Sequence, residues 1–162
     1  VQSQFLEKFV SQLLEKREDQ KVHSGVYQFF ENVKALSTDV SAGVNPNFKD
    51  VHDERNSMNL GQGVALVKFT GAGGKYSAND ANAEFVGEVR RLLNDADVPF
   101  NPVELGKVDK GGGGTVAKFI SRRGSEVVDL GFPLLSMHSP YEISSKSDIY
   151  HTYRGIRAFY EG

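Results

Sequence analysis

Two short apolar runs, "GVALVKFT" (63–70) and "EVVDL" (126–130), constrain this chain more than any other feature. Both are rich in aliphatic and β-branched side chains, and both are bounded by glycine or polar turns, the length and composition of strands. Between them Phe85, Val86, Val89, Leu92 and Leu93 recur at the spacing of one helix face. Strands alternating with an amphipathic helix argue an α/β domain. The remaining segments extend the pattern. Phe5, Leu6, Phe9, Val10, Leu13 and Leu14 predict a helix between Gln2 and Arg17, and Val26, Phe29, Phe30 and Val33 predict a second that runs into an extended segment, Ala35–Val40. The stretch 45–61 is polar and turn-rich and predicts a long loop, and "GAGGKYSAND" (71–80) a second loop with a helix cap near its end. A strand over Val103–Val108, a short helix over Thr115–Arg123 ended by a left-handed Gly124, and a closing helix over Ser147–Tyr160 follow. The expected fold is a layered α/β/α domain around a mainly parallel or mixed sheet, with no repeat, low-complexity tract or linker.

The bulk numbers narrow the function classes. A chain of 162 residues buries one sizeable core. A net charge of −2 offers no broad basic field, so nucleic acid is a poor partner. No apolar run approaches the roughly 18 residues of a membrane span. With no cysteine there are no disulfides and no thiolate ligands, so a metal must sit on His, Asp or Glu. That composition fits a cytoplasmic protein.

In open α/β sheets ligands bind beyond the carboxyl ends of strands. Asp39 stands near the end of one predicted strand, and in "FPLLSMHSPYE" (132–142) His138 follows another among small polar residues. A carboxylate and an imidazole converging there suit zinc. The competing reading is a packed, hydrogen-bonded histidine, and no local HExxH-type signature decides between them. His23, before a helix, His52, in a charged loop, and His151, in the last helix, are expected at the surface or as caps. The run Gly111–Gly114 lacks both the GK[ST] ending of a phosphate loop and the GxGxxG spacing of a dinucleotide fold. It is either a close backbone turn beside a substrate or a flexible turn. Lys68 and Tyr76 face either a site or solvent.

Four stretches, "LSTDVSAGVNPNF" (36–48), "VKFTGAGGKYSAND" (67–80), "DKGGGGTVAKFISRRGSEVVDLG" (109–131) and "LLSMHSPYEISSKSDIY" (134–150), together resemble the C-terminal half of the aspartyl/vacuolar-type zinc aminopeptidases. The "MHSPYE" wording is closer to the aminopeptidase I branch. The resemblance implies part of a zinc-exopeptidase-like catalytic domain over residues 1–162, and a dinuclear metalloenzyme that removes N-terminal residues from peptides with a free N-terminus. It implies Asp39 and His138 as metal ligands, one to each of two zinc ions per complete subunit, with cobalt or manganese as substitutes. Lys68 and Tyr76 match positions that contact substrate or the reacting carbonyl. Gly113, Gly114, Thr115 and Met137 match the lining of the substrate pocket.

The same resemblance places a first histidine ligand, a bridging aspartate, a Glu-Glu pair holding the catalytic base, and a dimerisation domain upstream of Val1. It therefore implies a fragment inactive alone, and a homo-oligomer, a dimer-based dodecamer, when complete. Ala42 and Asn45 stand where the aspartyl branch carries histidines before Pro46, so the preferred N-terminal residue stays unassigned. The alternatives are a non-catalytic assembly module that keeps the fold, and, further off, a small nucleotide-binding domain.

Overall fold

The computed structural model describes residues 3–17, 22–73, 76–107 and 109–162, and of residues 22–24 the backbone alone. Helices α1 (Phe5–Glu15) and α2 (Val22–Glu31) lead into strand β1 (Lys34–Ala42), a 3-10 turn at Lys49–Val51, and strands β2 (Val64–Ala72) and β3 (Tyr76–Asp80). Helix α3 (Ala83–Asp95), strands β4 (Phe100–Glu104) and β5 (Gly112–Gly113), and helix α4 (Ala117–Ser121) follow. Strands β6 (Glu126–Leu135) and β7 (Ile143–Ser144) and helix α5 (Lys146–Glu161) complete the chain.

The strands form one mixed sheet in the order β1-β6-β2-β3, with β4 and β5 also paired to β2 and β7 to β6. β1 runs parallel to β6, while β6 and β2 are antiparallel. Alternation of side chains sorts the two faces. Val64 and Leu66 of β2 and Val128 and Leu130 of β6 point to one face, where α3 supplies Phe85, Val86, Val89 and Leu93 and α5 supplies Ile156 and Phe159. Burying a side chain of this size is worth roughly 1.5–3 kcal/mol, so this layer dominates the stability of the sheet. The intervening residues Ala65 and Val67 face the other way, onto Met58, Val103 and Leu105. On that second face the matching positions of β1 and β6 carry Ser37, Asp39, Ser41 and Asp129, a polar stripe in place of an apolar one.

Two fastenings hold the helices. Asp148, in the first turn of α5, is fully buried and accepts the backbone N–H of Gly61 at 2.6 Å and of Gly63 at 2.8 Å, tying the helix to the entry of β2. In α1, Val10 and Leu14 pack on Phe30 and Val26 of α2, and Glu7 accepts from Arg123 at 2.8 Å. The opposite side of α1 shows Phe5, Phe9 and Leu13 to solvent.

The mixed α/β sheet agrees with the sequence reading, and several elements differ from it. The segment 71–80 is no simple loop: its second half is β3, because Asn79 can donate its N–H to the Thr70 hydroxyl and its side-chain amide to the Val127 carbonyl. Few apolar residues mark that strand, so its pairing with β2 carries it. The helix cap is Asn82, two residues beyond the segment, accepting from Glu84 N–H at 2.9 Å. The strand expected over Val103–Val108 begins earlier, at Phe100, set by the parallel ladder with β2. It also ends earlier, at Glu104, with 105–107 outside any strand; Val108 itself and the side chain of His23 lie outside the described residues. β6 runs on through the apolar Phe132–Leu135, and the helix expected from Thr115 starts at Ala117. Gly124, at φ +95°, follows it in the left-handed conformation expected.

Candidate active site

Because β1 and β6 are parallel neighbours, their carboxyl ends emerge on the same edge of the sheet. Asp39 sits opposite Gly131 in the ladder, and β6 delivers His138 just past its end. Both line a cleft of about 500 Å³ with Val40, Ala42, Val51, His52, Leu105, Gly106, Gly111–Thr115, Met137 and Glu142. Among the residues expected from the sequence, the fold thus brings together Asp39, His138, Gly113, Gly114, Thr115 and Met137. Lys68 and Tyr76 stand outside this lining, on the β2–β3 hairpin. Lys68 is exposed and paired with Asp80, and Tyr76 is exposed at the start of β3.

The two candidate ligand positions are presented differently. Asp39 is exposed on β1, with its Oδ1 accepting the Val40 N–H at 2.8 Å. His138 is held in a tight turn. Ser136 (φ +60°) and His138 (φ +67°) both take the left-handed conformation, which costs a non-glycine residue about 1–2 kcal/mol each. The turn is fixed by the Ser139 N–H donating to the Ser136 carbonyl at 3.0 Å and by the His138 N–H donating to Glu142 Oε1 at 2.6 Å. Among the described residues no hydrogen bond engages the His138 ring, so its nitrogens are available to a ligand.

The glycine run is a close-packed edge. Gly112 and Gly113 form β5 against Ala72 and Gly71. Gly112 has φ +92°, and a Cβ there would overlap the Gly71 carbonyl oxygen, so both conformation and space require glycine. Of the two readings of this run, the close backbone turn is the one observed. Thr115, at its end, donates its hydroxyl to Asp129 Oδ2 at 2.9 Å.

Three residues of the cleft region, Asp129, His52 and Glu142, were not among the site residues expected from the sequence. Asp129 is buried at 5 % exposure in the middle of β6, and burial holds its carboxyl above the usual range, with the Asp39 charge adding to that and the Thr115 and Ser37 hydroxyls opposing it. Its Oδ1 and the Ser37 hydroxyl complete no hydrogen bond among the described residues. An aspartate interrupting the run "EVVDL" is the sequence signal that points to it. His52, expected at the surface or as a cap, is buried directly after the 3-10 turn, and its Nε2 accepts the Asn45 N–H at 3.3 Å. Burial lowers its pKa, opposed by Asp50. Glu142, the third, has no signal short of the turn itself. His151 is partly buried in α5, with a Nδ1 that has no partner among the described residues.

The donor set can be tested against zinc directly. A carboxylate and a free imidazole at one cleft are the oxygen and nitrogen donors that zinc takes. No group of three or more His, Cys, Asp or Glu close enough to hold a metal occurs among the described residues. The residues present fit part of a zinc site.

Comparison with known proteins finds one family across nearly the whole chain. A family model described as aminopeptidase I zinc metalloprotease (M18) matches residues 1–160. A probable M18 family aminopeptidase 1 of Thermotoga maritima is 58 % identical over 134 residues, covering 83 % of this chain and 30 % of that protein. A crystal structure of an M18 family aminopeptidase from the same organism superposes with a TM-score of 0.91 at 51 % identity, covering 97 % of this chain and 35 % of that one. Aminopeptidase I from Clostridium acetobutylicum gives a TM-score of 0.83 at 45 % identity, over 98 % of this chain and 33 % of that one. The chain spans about a third of the length of the relatives it matches.

Proposed function

The chain belongs to the aminopeptidase I zinc metalloprotease family, and from that premise we propose that it forms part of the active site of a dinuclear zinc aminopeptidase. The observation that carries the proposal is the convergence of Asp39 and His138, from two parallel strands, on the cleft that the Gly113–Thr115 backbone and Met137 also line. In this proposal Asp39 and His138 hold one zinc ion each, with cobalt or manganese as substitutes. Zinc, when bound, supplies an acidified water and a polarised scissile carbonyl near neutral pH. The Gly113–Gly114 backbone and Thr115 flank the peptide, and Met137 packs against its first side chain. From the hairpin, Tyr76 and Lys68 donate hydrogen bonds to the oxygen on which charge develops. The proton acceptor is a glutamate outside these 162 residues, so this segment alone is expected to hydrolyse nothing.

Peptides with a free N-terminus are the proposed substrates, a homo-oligomer the proposed assembly, and the cytoplasm the proposed location. No described helix is long and apolar enough to cross a membrane.

The test uses the full-length polypeptide carrying this segment. Losing even an outer-shell partner of a metal ligand costs roughly 10–100-fold, so Asp39→Ala and His138→Ala should each cut activity on an unblocked peptide by more than about a hundredfold. Each should also lower zinc per chain, and N-acetylation of the peptide should abolish turnover by the unmodified enzyme. Either variant with near-normal zinc content and turnover would sink the assignment. A full-length protein that carries no zinc and cleaves nothing would leave the non-catalytic assembly module standing.

A further inference from the structure

We propose that Asp129 is a positioning residue that fixes the Gly113–Thr115 wall of the cleft, so that its effect falls on substrate binding and not on metal loading. The proposal rests on the aminopeptidase reading above.

A carboxyl group at 5 % exposure beside Val67, Leu105 and Leu130 is costly to bury. Its neighbours on the same strand, Val127, Val128 and Leu130, are apolar, and packing alone would be served by another such residue. What the carboxyl does instead is accept the Thr115 hydroxyl at 2.9 Å. Thr115 directly follows the glycine run and lines the cleft that holds Asp39 and His138. The run is otherwise held through its backbone, by the Gly111 N–H donating to the Lys107 carbonyl at 2.8 Å and by the pairing of Gly112 and Gly113 with Ala72 and Gly71, and α4 begins two residues beyond Thr115 with Ala117 buried. The Asp129–Thr115 bond adds a side-chain fastening between β5 and α4, at the point where the wall meets the cleft. It does so from a strand whose next-but-one residue, Gly131, pairs with Asp39. One rigid strand thus sets both the position of a metal ligand and the width of the space beside it.

Asp129→Ala leaves a cavity in the sheet and risks misfolding, so the decisive change is Thr115→Val in the full-length protein, which keeps the shape and removes only the hydroxyl. The expected result is a KM raised roughly tenfold for an unblocked peptide, the size of one lost charged hydrogen bond, with kcat within about twofold and zinc per chain unchanged. Thr115→Ser should bring KM back to within about twofold of the starting value. Amide hydrogen exchange over residues 112–116 should accelerate in Thr115→Val by a similar factor and in Thr115→Ser hardly at all. An unchanged KM, a loss of kcat together with zinc, or unchanged exchange in the valine variant would each overturn the proposal. If the unmodified protein proves to carry no zinc and no peptidase activity, the aminopeptidase reading fails separately. The exchange measurement, which needs neither, then decides by itself whether Asp129 holds the wall.

Discussion

His138 occupies a backbone conformation that its own side chain disfavours, and Glu142 pays for it with a 2.6 Å hydrogen bond to the His138 N–H. Glutamine keeps an acceptor oxygen at that place and alanine does not. In the full-length protein Glu142→Ala should therefore weaken zinc binding by roughly 10–100-fold, with Glu142→Gln close to normal, as read by competition against a chelator. His52 makes a second residue-scale prediction. Its folded pKa lies below the ordinary value of 6.5 because the ring is buried, so the unfolded chain takes up the proton first as pH falls. Its contribution is neutral above about pH 6.5 and becomes destabilising below it. Thermal midpoints of the full-length protein should drop between pH 7 and 5, and His52→Gln should flatten part of that drop. An unaltered slope would mean that burial of His52 plays no part. That Asp39 and His138 come to one cleft was legible in the sequence because each stands near or just past the end of a predicted strand. The burial of His52 was not, because nothing local marks a charged loop as buried.

At the scale of elements the β1–β6 ladder decides where Asp39 and His138 stand. Gly131 is packed against β1 so closely that a Cβ would overlap the Asp39 carbonyl oxygen. Gly131→Ala must push β1 away at Asp39, the proposed metal ligand. The expected outcome is a full-length protein that folds with its far-side core intact yet holds less zinc and loses most of its activity, measured by metal content and circular dichroism together. Normal metal content would show that β1 tolerates the shift. β2 and β6 were readable because apolar runs of strand length leave few alternatives. β3 was not, since only Asn79 of its residues is buried and its existence depends on a partner strand elsewhere in the chain. The closing helix was legible from its periodicity, and the glycine run only in part: its composition allowed both a tight and a loose turn, and the packing against Gly71 selects the tight one.

Over the whole molecule, the sheet divides labour between its faces. One face carries the apolar layer with α3 and α5, and the other carries Ser37, Asp39 and Asp129 beside the cleft. Asp148 belongs to the first kind of work although it is a carboxylate, because both its partners are backbone amides at the entry of β2. Asp148→Ala leaves the buried Gly63 N–H and the part-buried Gly61 N–H unpaired. It should cost about 3 kcal/mol in a urea titration of the full-length protein while leaving KM and kcat near normal. A comparable loss of catalytic efficiency in the folded variant would contradict that separation. The parallel pairing of β1 with β6 has a further consequence, for the order of folding. Asp39 and His138 lie roughly a hundred residues apart along the chain, and contacts of that separation form late because a long loop must close first. Until β1 has zipped onto β6 the two side chains are strangers in solution, so metal ions held there, as proposed, would lock a pairing that the chain has already made and would not nucleate it.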